Sequence, residues 1–190
     1  QIETLLMRIA RGSGLAGLAS IREQNQRIIR PLLGFTKNEL LAYCETRGVA
    51  TCVDPSNANP AFDRVQVRQW LESAPPLIDG RRALRTVNAL AEAHSALEWA
   101  ADQIEETRIA KGAKGEVALN PEGLPAEFLR RLLIRALNRL DPHLQPRGEV
   151  TDRLLDALPQ GKRLTVGNIL CTGGASWRFE WAPKRRENHQ

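Results

Sequence analysis

The sequence predicts a mainly α protein with small β elements, in the α+β class. Two observations carry that expectation. Apolar residues recur at helical spacing through most of the chain, whereas the strict alternation of half-buried strands is confined to its last part. Turn signals at Asp54-Pro55-Ser56-Asn57 and Asn120-Pro121-Glu122-Gly123, and a break at Pro75-Pro76, separate the helices from short stretches read as strands. At 190 residues the chain can bury a real core in one or two domains. Charged residues make up 26% and the hydrophobic set 42%, which excludes a disordered or membrane class. No apolar run approaches the ~20 residues of a membrane span, and no signal-peptide pattern is present.

Ile2, Leu5, Leu6 and Ile9 recur at i, i+3, i+4 and i+7, the apolar face of a first helix. Glu3, Thr4, Arg8 and Arg11 stay off that face. No initiator Met and no cap residue precede Ile2, so the chain begins as though inside a fold. Gly12-Ser13-Gly14 stops the helix and is expected to leave backbone N–H groups free to approach an anion. Thr36-Lys37-Asn38-Glu39 has the capping-box form and starts a short helix that ends at Gly48. Val49 to Val53 reads as a short strand, and Asp54-Pro55-Ser56-Asn57 as a turn. A helix from Pro60 to Ser73 follows, with Arg64 and Arg68 on one face at i, i+4. Pro75-Pro76 breaks it and marks the main boundary.

Asp79 is expected to cap a long helix reaching Lys111. Ala83, Val87, Leu90, His94, Leu97, Ala101 and Ile104 form a heptad-like seam along it. Such a helix runs roughly 45 Å at 1.5 Å per residue and suits a connector. Its seam is compatible with packing inside the chain or in a homodimer. Glu116 to Leu119 reads as a strand and Asn120-Pro121-Glu122-Gly123 as a turn. Leu124 to Leu140 is the clearest amphipathic helix, and Val150 to Leu158 a shorter one. Leu164, Val166, Trp177, Phe179 and Trp181 alternate with polar residues as strands do, with a hairpin turn at Gly173-Gly174. The tail from Lys184 is polar.

The net charge of +5 and pI near 9.6 lean gently towards a polyanionic partner. Residues 1–73 carry 9 Lys+Arg against 7 Asp+Glu, and residues 74–190 carry 18 against 15, so the excess is spread along the chain. Cys44, Cys52 and Cys171 form no CxxC pair, and His94, His143 and His189 are scattered. That pattern favours reduced thiols in a cytoplasmic protein and supports no metal site.

Three stretches carry a family resemblance: Gln1-x-Glu3-Thr4-x₃-Arg8-x₂-Arg11-Gly12-Ser13-Gly14-x₂-Gly17-Leu18, then Arg30-Pro31-Leu32-Leu33, then Asp54-Pro55-Ser56-Asn57-x-Asn59-x₂-Phe62-x-Arg64-x₃-Arg68. In order and spacing they resemble motifs of the bacterial tRNA(Ile)-lysidine synthases. The resemblance covers roughly the first 70 residues and extends over the rest only as a layout, a helical segment followed by a small strand pair. It implies residues 1–74 as the C-terminal part of an α/β ATP-pyrophosphatase domain and 75–112 as a helical connector. Residues 113–183 become a small α+β tRNA-binding domain and 184–190 a tail. The family's Ser-Gly-Gly-x-Asp-Ser ATP loop is expected upstream of Gln1.

The activity implied is ligation of free L-lysine to C2 of the wobble cytidine of tRNA(Ile), driven by ATP with Mg²⁺. The chain alone, without the ATP loop, is expected to be inactive. By that resemblance Glu3 helps hold the ammonium groups of lysine, and Arg8 and Arg11 face phosphate or departing AMP. Gln1, Gly12, Ser13 and Gly14 line the substrate side, and Arg64 and Arg68 contact the anticodon stem. Arg64 is followed by Val65 where the family commonly has Asn.

Each of these residues also has a plainer reading. Glu3 suits the first turn of any helix by its charge, and paired arginines are often a solvated face. A glycine at a helix end is usually a cap. Arg131, Arg135 and Arg139 form a stripe opposite the leucine face that suits either tRNA phosphates or solvent. Trp177 and Trp181, in phase with Phe179, read as core rather than base-stacking residues, and His94 as a packed histidine. The alternative function is a non-catalytic helical RNA-binding or assembly module. A tRNA-thiolating ATP-pyrophosphatase is disfavoured by the lack of cysteine pairs.

Overall fold

The computed structural model describes residues 2–19, 24–25, 28–52, 63–73, 80–146 and 148–183. Gln1, the turn at Asp54-Pro55-Ser56-Asn57, the Pro75-Pro76 boundary, the Asp79 cap and the tail from Lys184 lie outside them. The chain divides into two compact units, Gln1–Ser95 and Ala96–Gln190.

The first unit holds α1 (Ile2–Ala10), α2 (Leu15–Leu18), the two-residue antiparallel pair β1 (Gln24–Asn25) and β2 (Ile28–Ile29), α3 (Lys37–Thr46) and α4 (Asp63–Ser73). α3 starts as its sequence predicts. The Thr36 hydroxyl accepts from the Glu39 N–H at 3.2 Å, and the Glu39 carboxylate accepts from the Thr36 N–H at 2.7 Å. Gly48, with φ +62, turns the chain away after it, where a Cβ is unfavourable. The strand expected from Val49 does not form; residues 49–52 belong to no element. α1 packs on α4. Val65 is the buried residue of α4.

α5 (Gly80–Arg108) begins in the first unit and ends in the second. Its heptad seam is visible in burial, with Val87, His94 and Ala101 the buried positions. It stops three residues short of the expected Lys111, because Ile109–Lys111 leaves the helix to become β3. That strand pairs antiparallel with β4 (Val117–Leu119), a long-range gain invisible in the local pattern.

The second unit continues with α6 (Ala126–Leu140), α7 (Gly148–Ala157), a 3₁₀ turn at Leu158–Gln160, and β5 (Arg163–Val166), β6 (Ile169–Thr172) and β7 (Trp177–Trp181). The sheet is antiparallel with the order β3-β4-β7-β6-β5. Three of the five strands fall where the sequence predicts them, at β4, β5 and β7; β3 and β6 are additional. β6 escapes the alternation rule because Ile169-Leu170-Cys171 is an unbroken apolar run. α6 lays Leu132, Leu133, Ala136 and Leu137 on the sheet, against Val117, Leu119, Cys171, Trp177 and Phe179. Each such fully buried large side chain contributes about 2 kcal/mol. Gly173 lets the β6–β7 turn approach the 3₁₀ turn, since a Cβ there would lie 2.0 Å from the Leu158 carbonyl oxygen. Burial pushes the Cys171 thiol up to about 12, so it packs as an apolar residue.

Candidate functional site

In the first unit, α1 and α4 bring two of the sequence motifs together. Glu3 and Arg68 are 65 residues apart in sequence and meet in a forked pair. Arg68 Nε donates to Glu3 Oε1 at 2.7 Å and Arg68 Nη2 to Glu3 Oε2 at 3.3 Å. One turn earlier on α4, Arg64 Nε lies 3.5 Å from Glu3 Oε2, and Arg64 Nη2 donates to Thr4 Oγ1 at 3.2 Å. At the other end of α1, Arg11 Nη2 donates to Asp63 Oδ2 at 2.8 Å across exposed surface. The i, i+4 spacing of Arg64 and Arg68 sets both guanidinium groups beside one carboxylate.

The Arg68 hydrogen bond holds the Glu3 carboxyl below its ordinary range, against partial burial; the charges of Arg68 and Arg64 add to the effect. Arg68 is raised in turn by that same bond to Glu3. The Glu3 side chain keeps 25% of its exposure, so a solute can still reach it.

The glycine loop differs from its expectation. The Gly12 N–H donates to the Ile9 carbonyl at 2.9 Å and the Ser13 N–H to the Arg8 carbonyl at 2.9 Å. With Gly12 at φ +63, this is a Schellman cap. Those two N–H groups finish α1 and are not free for an anion. Gly17 lets α2 close on this loop, since a Cβ there would lie 2.7 Å from Ser13 Cβ. Gly14 precedes α2 as its N-cap residue, and Arg8 is exposed on α1. Gln1 lies outside the described residues.

The arginine stripe of α6 also differs from a solvated face. Arg131 is buried, pairing with Glu98 and, at 2.7 Å, with Glu127. Arg135 reaches Glu98 at 2.5 Å, Asp102 at 2.7 Å and Glu105 at 2.9 Å, while Arg139 reaches Glu105 at 2.7 Å. Burial opposes the charge of Glu98, yet the hydrogen bond from Arg135 and the charge of Arg131 outweigh it and leave its pKa lowered. Arg135 balances burial against its bonds to Glu98, Glu105 and Asp102, with a net rise. The signal was present in sequence as Glu98, Asp102 and Glu105, an acidic row at i, i+4, i+7 on α5.

Sequence reasoning missed the outer face of the sheet. Arg163, Thr172, Arg178 and Ala118 stand in one row across β5, β6, β7 and β4. Arg163 and Arg178, with Lys114 and Trp181, line a concavity of about 410 Å³ that also carries Glu116 and Glu180. Trp181 is exposed, unlike Trp177 and Phe179 with which it is in phase, because it ends the strand. Outward alternation of Arg178 between the apolar residues of β7 was the available signal.

Comparison with known proteins adds a second line of observation. Residues 1–74 match the PP-loop domain. A tRNA(Ile)-lysidine synthase of Zymomonas mobilis is 40% identical over 98% of this chain and 59% of its own length. One of Novosphingobium aromaticivorans is 36% identical over 100% of the chain and 60% of its length, and one of a Bradyrhizobium strain 36% over 98% and 61%. The chain thus spans about three-fifths of the length of these relatives. Over its first 74 residues the chain thus matches the PP-loop domain, and along nearly its whole length it is similar to tRNA(Ile)-lysidine synthases.

Proposed function

We propose that the complete protein carrying this chain joins free lysine to C2 of the wobble cytidine of tRNA(Ile), in the cytoplasm. The observation that carries the reading is similarity along nearly the whole chain to relatives named for that reaction, across both structural units. The C2 oxygen attacks the α-phosphorus of ATP, forming an adenylate and releasing pyrophosphate. The lysine ε-amine then attacks C2, and AMP leaves with the oxygen. Glu3, held ionised between Arg68 and Arg64, is the group suited to an ammonium of the incoming lysine.

The Gly12 and Ser13 N–H groups are committed to α1 and offer no support to a triphosphate. ATP and its Mg²⁺ are therefore assigned to the complete protein, and no residue of this chain to the metal. The 190-residue chain alone is expected to release no AMP.

Arg131, Arg135 and Arg139 already face carboxylates, which favours a structural role for them over phosphate contacts. The sheet concavity is the better candidate for tRNA: Lys114, Arg163 and Arg178 outnumber Glu116 and Glu180 there by one charge, and Trp181 beside them is exposed for stacking. That patch alone would serve a non-catalytic RNA-binding module equally well. The two readings separate in one assay. AMP release by the complete protein should require lysine and tRNA(Ile) together; tRNA binding without lysine-dependent AMP release would favour the module.

A further inference from the structure

We infer that Arg68 is the positioning residue for Glu3, fixing the carboxylate that receives the ammonium of lysine rather than contacting RNA. The inference rests on the functional reading given for Glu3 and deepens it. A glutamate side chain has three rotatable bonds, and a free one samples many rotamers. The two bonds from Arg68, one to each carboxylate oxygen, select a single orientation. Arg64 braces the same helical turn through Thr4 and approaches the same carboxylate from one turn away.

A carboxylate offers about four acceptor positions. Arg68 and Arg64 approach Glu3 in three contacts, and its remaining exposure leaves room for another donor. Glu3, Arg64 and Arg68 sum to one positive charge. RNA would have to break the Arg68–Glu3 fork before Arg68 met a phosphate with its full charge. Arg68 is also the less exposed of the two arginines, 38% against 54% for Arg64.

The test measures steady-state lysidine formation by the complete protein, varying lysine and tRNA(Ile) in turn. Arg68→Ala should raise the lysine KM by about tenfold or more, the loss expected for a charged hydrogen-bonded contact. The tRNA KM and its salt dependence should hold. Arg68→Lys, which can keep one of the two bonds, should recover part of the lysine KM. A raised tRNA KM with an unchanged lysine KM would overturn the inference, as would equal loss in every parameter with no rescue by lysine.

If the wild-type protein makes no lysidine, the functional reading fails by itself. The positioning claim is then read from carboxyl-labelled glutamate by NMR, with the Glu3 signal assigned through Glu3→Gln. Its titration midpoint should rise in Arg68→Ala and in part in Arg68→Lys; an unmoved midpoint overturns the claim.

Discussion

Glu3 shows how far one residue is specified by its own neighbourhood and how far by distant chain. Its place in the first turn of α1 follows from helix periodicity, while its partners come from α4, more than 60 residues on. The sequence offered Arg64 and Arg68 as a basic pair and left their target open, because the fork depends on how two helices pack. The pair has a pH signature. Glu3 has a lower pKa in the folded chain than in the unfolded one, so its contribution to stability is complete above the unfolded carboxylate range. It is lost as pH falls through the folded value. Melting curves taken from about pH 5 downward should show wild type losing stability more steeply than Glu3→Gln. Parallel curves would mean the pair contributes nothing.

At the scale of elements, the α5–α6 contact in the second unit is fastened by a row of carboxylates facing a row of guanidinium groups. Glu98 serves Arg131 and Arg135 at once, and Arg131 is only 7% exposed. Glu98→Ala should therefore cost about 2 kcal/mol in urea unfolding. That is less than the ~3–5 kcal/mol of an entirely buried pair, because Glu98 is itself 38% exposed. Asp102→Ala, at a 62% exposed side chain, should cost under about 1 kcal/mol. Equal costs would contradict the view that burial, rather than the count of ion pairs, sets the energy.

The elements legible in sequence were those closed by local signals: the Thr36–Glu39 capping box, the leucine face of α6 and the Gly173-Gly174 turn. β3 and β6 were not legible. Ile109–Lys111 continues the pattern of α5 and is a strand only because β4 pairs with it. Burial along Ile169–Thr172 does alternate, but Leu170 on the less buried face is apolar too, so the sequence reads as an unbroken run. The glycine loop was read as an anion site because a cap and a phosphate loop use the same residues. Only the bonding of the Gly12 and Ser13 N–H groups separates them.

For the whole molecule, the two units divide the work unequally. The second has a continuous core built from α6, α7 and the five-stranded sheet. In the first, among the described residues, Ala19, Val65 and Val87 are the buried apolar side chains, and Ile9, Ile29, Phe35 and Trp70 are exposed. The PP-loop match nonetheless lies in the first unit, as does the Glu3 cluster. The central claim is that this cluster takes the lysine of a tRNA ligation. It is tested most directly by incorporation of labelled lysine into tRNA(Ile) by the complete protein, wild type beside Glu3→Gln. Wild type should incorporate lysine in an ATP-dependent way, and the variant should lose about 100-fold or more in kcat/KM for lysine, the removal of a partly buried charge partner. Incorporation at the wild-type rate by Glu3→Gln, or none by wild type, would contradict it.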